Sequence, residues 1–128
     1  MKILLIYNPA AGNGSFKNSL DWIIKTVQEK GSYLIPYRTS TVKALQKMFH
    51  SIDLNSIDRI WIAGGDGTIH EVINALYKVE GDIPVGIFPV GTANDFAYYF
   101  QFPAEINKMV NLLLQDKFTY CDIGIANN

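Results

Sequence analysis

The sequence predicts an α/β fold in which an open, mostly parallel sheet carries helices on both faces. Continuous apolar runs of strand length alternate along the chain with segments whose apolar residues recur at helical spacing. Glycine-rich segments follow directly after three of these runs, at 8–14, 64–68 and 91–92. The chain has 128 residues, and 48% of them are hydrophobic, which is enough for one buried core. We therefore expect one domain over 1–128.

The first strand and helix occupy the amino-terminal part of the chain. Residues 2–7 form a continuous aliphatic run, which is typical of a strand that is buried on both faces of a parallel sheet. Apolar residues at helical spacing over 16–27 predict a helix, and Gly31 ends it. Residues 33–38 predict a second strand. Because Pro36 has no N–H to donate, we expect either that this strand lies at a sheet edge or that Pro36 lies at a strand end.

Two further helices flank the third predicted strand. Ser40 or Thr41 can cap a helix whose apolar residues lie within 42–49. Residues 58–63 return to an apolar run and predict a strand. Apolar residues at helical spacing over 69–76 predict the third helix.

The last part of the chain repeats the alternation. Residues 83–88 predict a fourth strand, and a short helical stretch follows the third glycine-rich segment. A helix over 106–113 then leads to a closing strand at 118–125. Helix-length crossovers make the strands parallel and place helices on both faces, so the expected architecture is Rossmann-like. Both tryptophans, Trp22 and Trp61, are expected to pack against the sheet.

Parallel strands end at one common edge of the sheet, where open α/β sheets bind their ligands. All three glycine-rich segments follow strands, so we expect them to meet at that edge. Glycine lets a ligand approach the backbone closely, and the N–H groups at the start of a following helix attract anions. A chain of phosphates is therefore the expected ligand.

Acidic residues accompany these segments. Asp66 lies in the middle of the second one, and a carboxylate beside phosphates repels them unless a divalent cation stands between, so Asp66 predicts Mg²⁺. Asp95 repeats the pattern after the fourth strand, and Asp122 follows the start of the last strand. Each of the three also suits a turn or a helix cap for local reasons. Thr68 likewise either caps a helix or donates to a phosphate oxygen.

Composition and motifs exclude several classes of function. The net charge of −1, without a block of like charges, argues against binding to nucleic acid. No apolar run approaches the length of a membrane span, and the single cysteine fits a reducing compartment, so a cytoplasmic protein is expected. The first segment lacks the endings of a P-loop and of a dinucleotide fingerprint. Phosphate charge would then be neutralised by Mg²⁺, by backbone amides and by Lys17 or Arg38, which are surface residues by default.

Three motifs follow one another along the chain. They are Asn8-Pro-Ala-Ala-Gly12, then Gly64-Gly-Asp-Gly-Thr68 with Glu71-Val-Ile-Asn74, and last Gly91-Thr-Ala-Asn-Asp-Phe-Ala97. Together they resemble the diacylglycerol kinase catalytic domain, which bacterial lipid kinases share with sphingosine and ceramide kinases. The second motif has relatives in NAD kinases and phosphofructokinases, whereas the third separates the lipid kinases from both. The resemblance covers essentially the whole chain and implies the nucleotide-binding lobe of an ATP-dependent lipid kinase.

The resemblance also implies roles for individual residues. The adenine nucleotide would be held near its ribose and phosphates by Asn8, Pro9 and Gly12, with Thr39 as a further contact. The phosphate loop would consist of Gly64, Gly65, Asp66, Gly67 and Thr68, with Thr92 and Asn94 across from it. The Mg²⁺ ligands would be Asp66, Asp95 and Asp122.

In the resembling family a second, β-rich domain follows the motif around Asp122. That domain is implied to carry the general base and most of the surface for a lipid such as diacylglycerol, so no catalytic residue is assigned within 1–128. Because the sequence ends at Asn128, we expect a chain that binds ATP or ADP but transfers little or no phosphate by itself. Peripheral membrane contact is implied for the full enzyme. Self-association through an exposed interdomain patch is a further expectation.

Two other functions stay open on the sequence alone. One is a NAD kinase-like enzyme, which the third motif disfavours and which the formation of NADP from added NAD would reveal. The other is a non-catalytic nucleotide-binding module, which would bind nucleotide without transferring phosphate to any lipid.

Overall fold

A parallel sheet forms the centre of the computed structural model, in which residues 1–91 and 93–121 are described, without the side chains of residues 96 and 97. Its strands are β1 (Lys2–Tyr7), β2 (Tyr33–Arg38), β3 (Arg59–Gly64) and β4 (Val85–Pro89). The spatial order is β2-β1-β3-β4, and every neighbouring pair is parallel. The predicted parallel α/β sheet is confirmed.

Helices cover both faces of this sheet. They are α1 (Leu20–Glu29), α2 (Val42–Ser51), α3 (Asp66–Lys78), α4 (Asp95–Tyr99) and α5 (Ile106–Leu113), and a single 3₁₀ turn, Phe16–Ser19, precedes α1. One core cluster joins α1 and α5 to one face, and a second cluster joins α2 and α3 to the other. Within the described residues, no helix is both long and apolar enough to cross a bilayer.

The two core clusters divide the side chains of the inner strands between them. In β1, Ile3 and Leu5 belong to the cluster under α1 and α5, whereas Leu4 and Ile6 belong to the cluster under α2 and α3. This division follows from the strand geometry, because successive side chains point to opposite faces of a sheet. All six residues of β3 are buried, which explains why its sequence is apolar without alternation.

The two tryptophans have different environments. Trp61 of β3 is fully buried, as predicted, but Trp22 of α1 is 44% exposed, so the prediction that it packs in the core is wrong. The buried residues of α1 are Ile23 and Val27, four positions apart on one helix face. Trp22 precedes this stripe by one position and therefore points about 100° away from it.

Two local predictions about the sheet edge and the second helix are confirmed. The strand that contains Pro36 is the outermost one on its side of the sheet, where the missing N–H is tolerated. Of the two candidate caps, Thr41 caps α2, because its Oγ1 accepts a hydrogen bond from the backbone N of Ala44 at 3.1 Å.

The predicted closing strand at 118–125 is wrong over the residues that are described. Residues 118–121 are not in a strand. Phe118 instead places its ring over the guanidinium of Arg59, with Cζ 4.8 Å from the ring centroid. An apolar sequence forms a strand only where a sheet edge accepts its backbone hydrogen bonds. Residues 122–125 lie outside the described residues.

Arg59, the first residue of β3, anchors the segment after α5 to the sheet. Its buried guanidinium donates to the carbonyl oxygens of Leu113 at 2.8 Å and Gln115 at 2.9 Å, and it pairs with the carboxylate of Asp116. A buried charge is tolerated only where such acceptors surround it. The arginine therefore ties the segment after α5 to β3, in addition to the packing of Met109 and Val110 of α5 on the sheet.

We expect Arg59→Met to lower the free energy of unfolding by about 2 kcal/mol, because two carbonyl oxygens lose a charged donor. Urea denaturation monitored by circular dichroism measures the change. Lys25→Met is the matched control, since Lys25 forms only an exposed ion pair with Glu29 at 3.9 Å, which contributes less than about 1 kcal/mol. Equal denaturation midpoints for the two variants would contradict the anchoring role.

Candidate functional site

The loops that follow β1, β3 and β4 lie side by side at the carboxyl edge of the sheet. We call residues 8–14 the first loop, 64–68 the second loop and 90–94 the third loop. Their strands are neighbours in the order β1-β3-β4, so the loops are also neighbours. The first begins where the backbone N of Asn8 donates to the carbonyl oxygen of Ala63 in β3 at 2.9 Å.

Asn8 ties the first loop to the second. Its Nδ2 donates to Oγ1 of Thr68 at 3.2 Å, and its Oδ1 accepts from the backbone N of Ala10 at 2.9 Å. Thr68 is buried in the first turn of α3, directly over Gly64. A Cβ on Gly64 would lie 2.6 Å from the Cβ of Thr68, so the tight start of α3 needs glycine at that position.

The second and third loops touch through their backbones. A Cβ on Gly91 would lie 2.2 Å from the Cα of Gly65, so only glycine permits this approach. Beside that contact, Oδ2 of Asp66 accepts a hydrogen bond from the backbone N of Asp95 at 3.0 Å. Asp66 begins α3 and Asp95 begins α4, so one carboxylate joins the starts of both helices.

The first loop also contacts the third. Gly12 has a φ of +57°, which side chains rarely adopt, and a Cβ there would lie 2.3 Å from the carbonyl oxygen of Val90. Both the backbone conformation and the contact require glycine. The first loop therefore packs against both of the other loops.

Asn94 fixes the shape of the third loop. Its φ is +55°, a conformation that asparagine tolerates better than most residues. Oδ1 accepts from the backbone N of Gly91 at 2.8 Å, and Nδ2 donates to the carbonyl oxygens of Gly91 at 2.7 Å and Pro89 at 3.2 Å. The side-chain amide is thus used inside the loop, so a nucleotide contact of Asn94 remains a prediction.

Most of the predicted site residues come together at this edge. The contacting set is Asn8, Gly12, Gly64, Gly65, Asp66, Thr68, Asn94 and Asp95. Gly67 is exposed in the first turn of α3, and Pro9 lines a depression beside the first loop. Thr39 follows β2, where its backbone N donates to the carbonyl oxygen of Tyr7 at 2.9 Å. Thr92 and Asp122 lie outside the described residues.

Two of the three predicted metal ligands are described, and the hydrogen bond from the backbone N of Asp95 to Oδ2 of Asp66 links them. Asp66 and Asp95 offer carboxylate oxygens, which are the ligands that Mg²⁺ prefers. Over residues 1–91 and 93–121, no cluster of three or more potential metal-ligating side chains occurs. The described pair suits a cation that is held by few protein groups together with substrate phosphates.

Sequence reasoning missed the hydrogen bond between Asp66 and Asp95. The two residues are 29 positions apart, and each begins a different helix. Only the spatial adjacency of β3 and β4 brings them together. The sole signal in the sequence was that both acids stand at the start of a helix that follows a glycine-rich segment.

The chain is similar in sequence and in fold to several known proteins. The family model described as the diacylglycerol kinase catalytic domain matches residues 2–126. Among similar proteins, diacylglycerol kinases of Staphylococcus saprophyticus and Bacillus subtilis are each 33% identical to this chain, over 97% and 96% of its length. The chain spans 41% of the length of either relative. A crystal structure of a diacylglycerol kinase from Bacillus anthracis superposes with a TM-score of 0.68 at 31% identity, covering 88% of this chain and 39% of that one.

Proposed function

Because the chain belongs to the family of diacylglycerol kinase catalytic domains, we propose that it binds ATP for a lipid kinase that transfers the γ-phosphate to a lipid hydroxyl. The observation that carries this proposal is the junction at Asp66. One carboxylate joins the starts of α3 and α4, at the edge where the three glycine-containing loops meet. Such a junction combines phosphate-binding backbone with a carboxylate suited to a cation.

The start of α3 is the proposed phosphate loop. In the first turn of a helix the N–H groups have no carbonyl partner within the helix, and the helix dipole adds partial positive charge there. For α3 these groups include those of Gly67 and Thr68. Gly64 and Gly65 let the backbone turn closely into the helix, and Asn8 holds Thr68 in place. Pro9, Gly12 and Thr39 would contact the rest of the nucleotide.

The proposed Mg²⁺ ligands are Asp66 and Asp95, with Asp122 as a third ligand beyond the described residues. When bound, Mg²⁺ would neutralise charge on the transferring phosphate. The protein's own part is positioning. The hydrogen bond from the Asp95 backbone orients the Asp66 carboxylate, and the amide of Asn94 keeps the third loop in its turn.

The acceptor site is proposed to lie in the part of such enzymes that this chain does not span. Diacylglycerol is one candidate acceptor, and a carboxylate base would belong to the same part. We therefore propose that the chain alone transfers little phosphate. On α4, Tyr98 is 87% and Tyr99 is 79% exposed, which supports the proposal of an apolar surface that packs against a further domain or a second copy. Sedimentation velocity tests the self-association.

Calorimetric titration of the chain with ATP, with and without Mg²⁺, tests the proposed function. We expect saturable binding that requires Mg²⁺, and transfer of labelled phosphate to diacylglycerol in mixed micelles that is close to background. Absence of ATP binding at every Mg²⁺ concentration would contradict the proposal. Formation of NADP from ATP and added NAD would instead favour the NAD kinase-like alternative.

A further inference from the structure

A depression beside the first loop is lined by two cationic side chains. Its lining residues are Lys17 and Arg38 together with five residues of the first loop, namely Pro9, Ala10, Gly12, Asn13 and Gly14. Arg38 is the last residue of β2, and Lys17 lies in the 3₁₀ turn before α1. The two cations therefore come from separate elements and converge on one loop. None of the described residues that line the depression is acidic.

The charges of Lys17 and Arg38 are not neutralised within the described part of the chain. Its ion pairs involve other cations, namely Lys25, Arg59 and Lys108. Two uncompensated positive charges beside a concave backbone create a local positive potential. The depression therefore favours an anion.

The first loop, which lines the depression, also has backbone N–H groups without an acceptor inside the loop. The N–H groups of Ala10, Ala11 and Gly14 are used in hydrogen bonds inside the loop. Among the described residues, no acceptor receives the N–H of Gly12 or Asn13. Consecutive backbone N–H groups without internal partners form the concave arrangement that binds phosphate and similar anions.

Positively and negatively charged residues lie at different positions along the carboxyl edge of the sheet. Arg38 ends β2, whereas Asp66 follows β3, which lies two strands away across β1. Neighbouring strands are about 4.8 Å apart, so the strand ends are separated by about 10 Å. A polyphosphate is long enough to approach both ends of this edge, whereas a single phosphate is not.

We propose that this depression is a subsite for a phosphate-type anion, in which Arg38 and Lys17 hold a phosphate group of the nucleotide without a metal ion. The identification of the anion as part of a nucleotide rests on the proposed function. The subsite is the cationic end of the edge, and Asp66 with Asp95 forms the metal-dependent end. The arginine can bind two phosphate oxygens at once through its planar guanidinium, whereas the lysine contributes a single charge.

Calorimetric titrations with MgATP, inorganic tripolyphosphate and adenosine test the subsite on five chains: wild type, Arg38→Gln, Lys17→Gln, the double variant Lys17→Gln/Arg38→Gln, and Lys78→Gln. Lys78, in the last turn of α3, is the matched control, because it is exposed and its replacement removes the same charge. We expect Arg38→Gln to weaken both phosphate ligands about tenfold, the loss of one charge-assisted contact. Lys17→Gln should weaken them about threefold to tenfold, and Lys78→Gln less than twofold.

The ligand series separates this inference from the proposed function. If the double variant Lys17→Gln/Arg38→Gln binds MgATP with the affinity of the wild type, the subsite is overturned and the proposed function stands. Binding of tripolyphosphate that requires both cations, in a chain that does not bind MgATP, would support an anion subsite and contradict the nucleotide. If the variants lose as much affinity for adenosine as for MgATP, then Lys17 and Arg38 contact the nucleoside rather than a phosphate, and the proposal is overturned.

Discussion

Asp66→Asn is expected to weaken Mg²⁺-dependent ATP binding by about 100-fold, which corresponds to about 2.7 kcal/mol, while the chain stays folded. Asparagine keeps a side-chain oxygen that can accept the hydrogen bond from the backbone N of Asp95. It loses the negative charge that a Mg²⁺ ligand supplies. Calorimetry measures the affinity, and the urea midpoint measures the stability of the same sample.

Three further variants separate the two roles of this carboxylate. Asp66→Ala removes the acceptor as well as the charge, so it should also lower the free energy of unfolding by about 1 kcal/mol. Asp95→Asn leaves the hydrogen bond intact, because that bond uses its backbone N, and should weaken only Mg²⁺-dependent binding. Asp82→Asn is the control for loss of an exposed charge. MgATP affinity within twofold of wild type in Asp66→Asn would rule out the proposed metal role.

Gly12→Ala is expected to destabilise the chain by about 3 kcal/mol or more. A left-handed backbone conformation costs a residue with a side chain about 1–2 kcal/mol. The added Cβ would also lie 2.3 Å from the carbonyl oxygen of Val90, and a backbone atom can move away only if the first and third loops separate. Urea denaturation gives the loss of stability, and MgATP titration shows whether the site survives in the folded fraction.

Two other glycines separate the conformational part of this cost in stability from the steric part. Gly31 has a φ of +80° but no atom within 4 Å of an added Cβ, so Gly31→Ala should cost only the conformational part. Gly67 lies in α3 with neither a positive φ nor a close neighbour, so Gly67→Ala should leave stability unchanged or raise it by up to about 1 kcal/mol. If Gly12→Ala proved no costlier than Gly31→Ala, the packing of the first loop on Val90 would be refuted.

The sheet and the position of the site could be predicted because they depend on local patterns. β1 and β3 are buried on both faces, and such strands have continuous apolar sequences. Once the strands are known to be parallel, their carboxyl ends must share an edge, so the meeting of the three loops follows without knowledge of any contact. A cap at Ser40 or Thr41 was predictable because a capping hydroxyl bonds only three residues ahead, as that of Thr41 does.

The features that could not be predicted depend on contacts between distant parts of the chain. The apolar segment from residue 118 has the sequence pattern of a strand. Its described part contacts Arg59 of β3 and is not paired with another strand. Trp22 is hydrophobic enough for the core, yet its place beside the buried stripe of α1 exposes it. The deciding partner of the apolar segment, Arg59, is absent from the local sequence pattern.

The hydrogen bond between Asp66 and the start of α4 has a thermodynamic consequence. If anchoring of α4 raises the affinity of Asp66 for a cation by some factor, then binding of the cation raises the equilibrium constant for anchoring of α4 by the same factor. The two factors are equal because coupling between two equilibria is reciprocal. A chain that binds MgATP would then hold α4 in place more firmly than the free chain. Tyr98 and Tyr99 would be carried on that more rigid helix. In this way the presence of nucleotide could be transmitted to whatever surface those two rings contact.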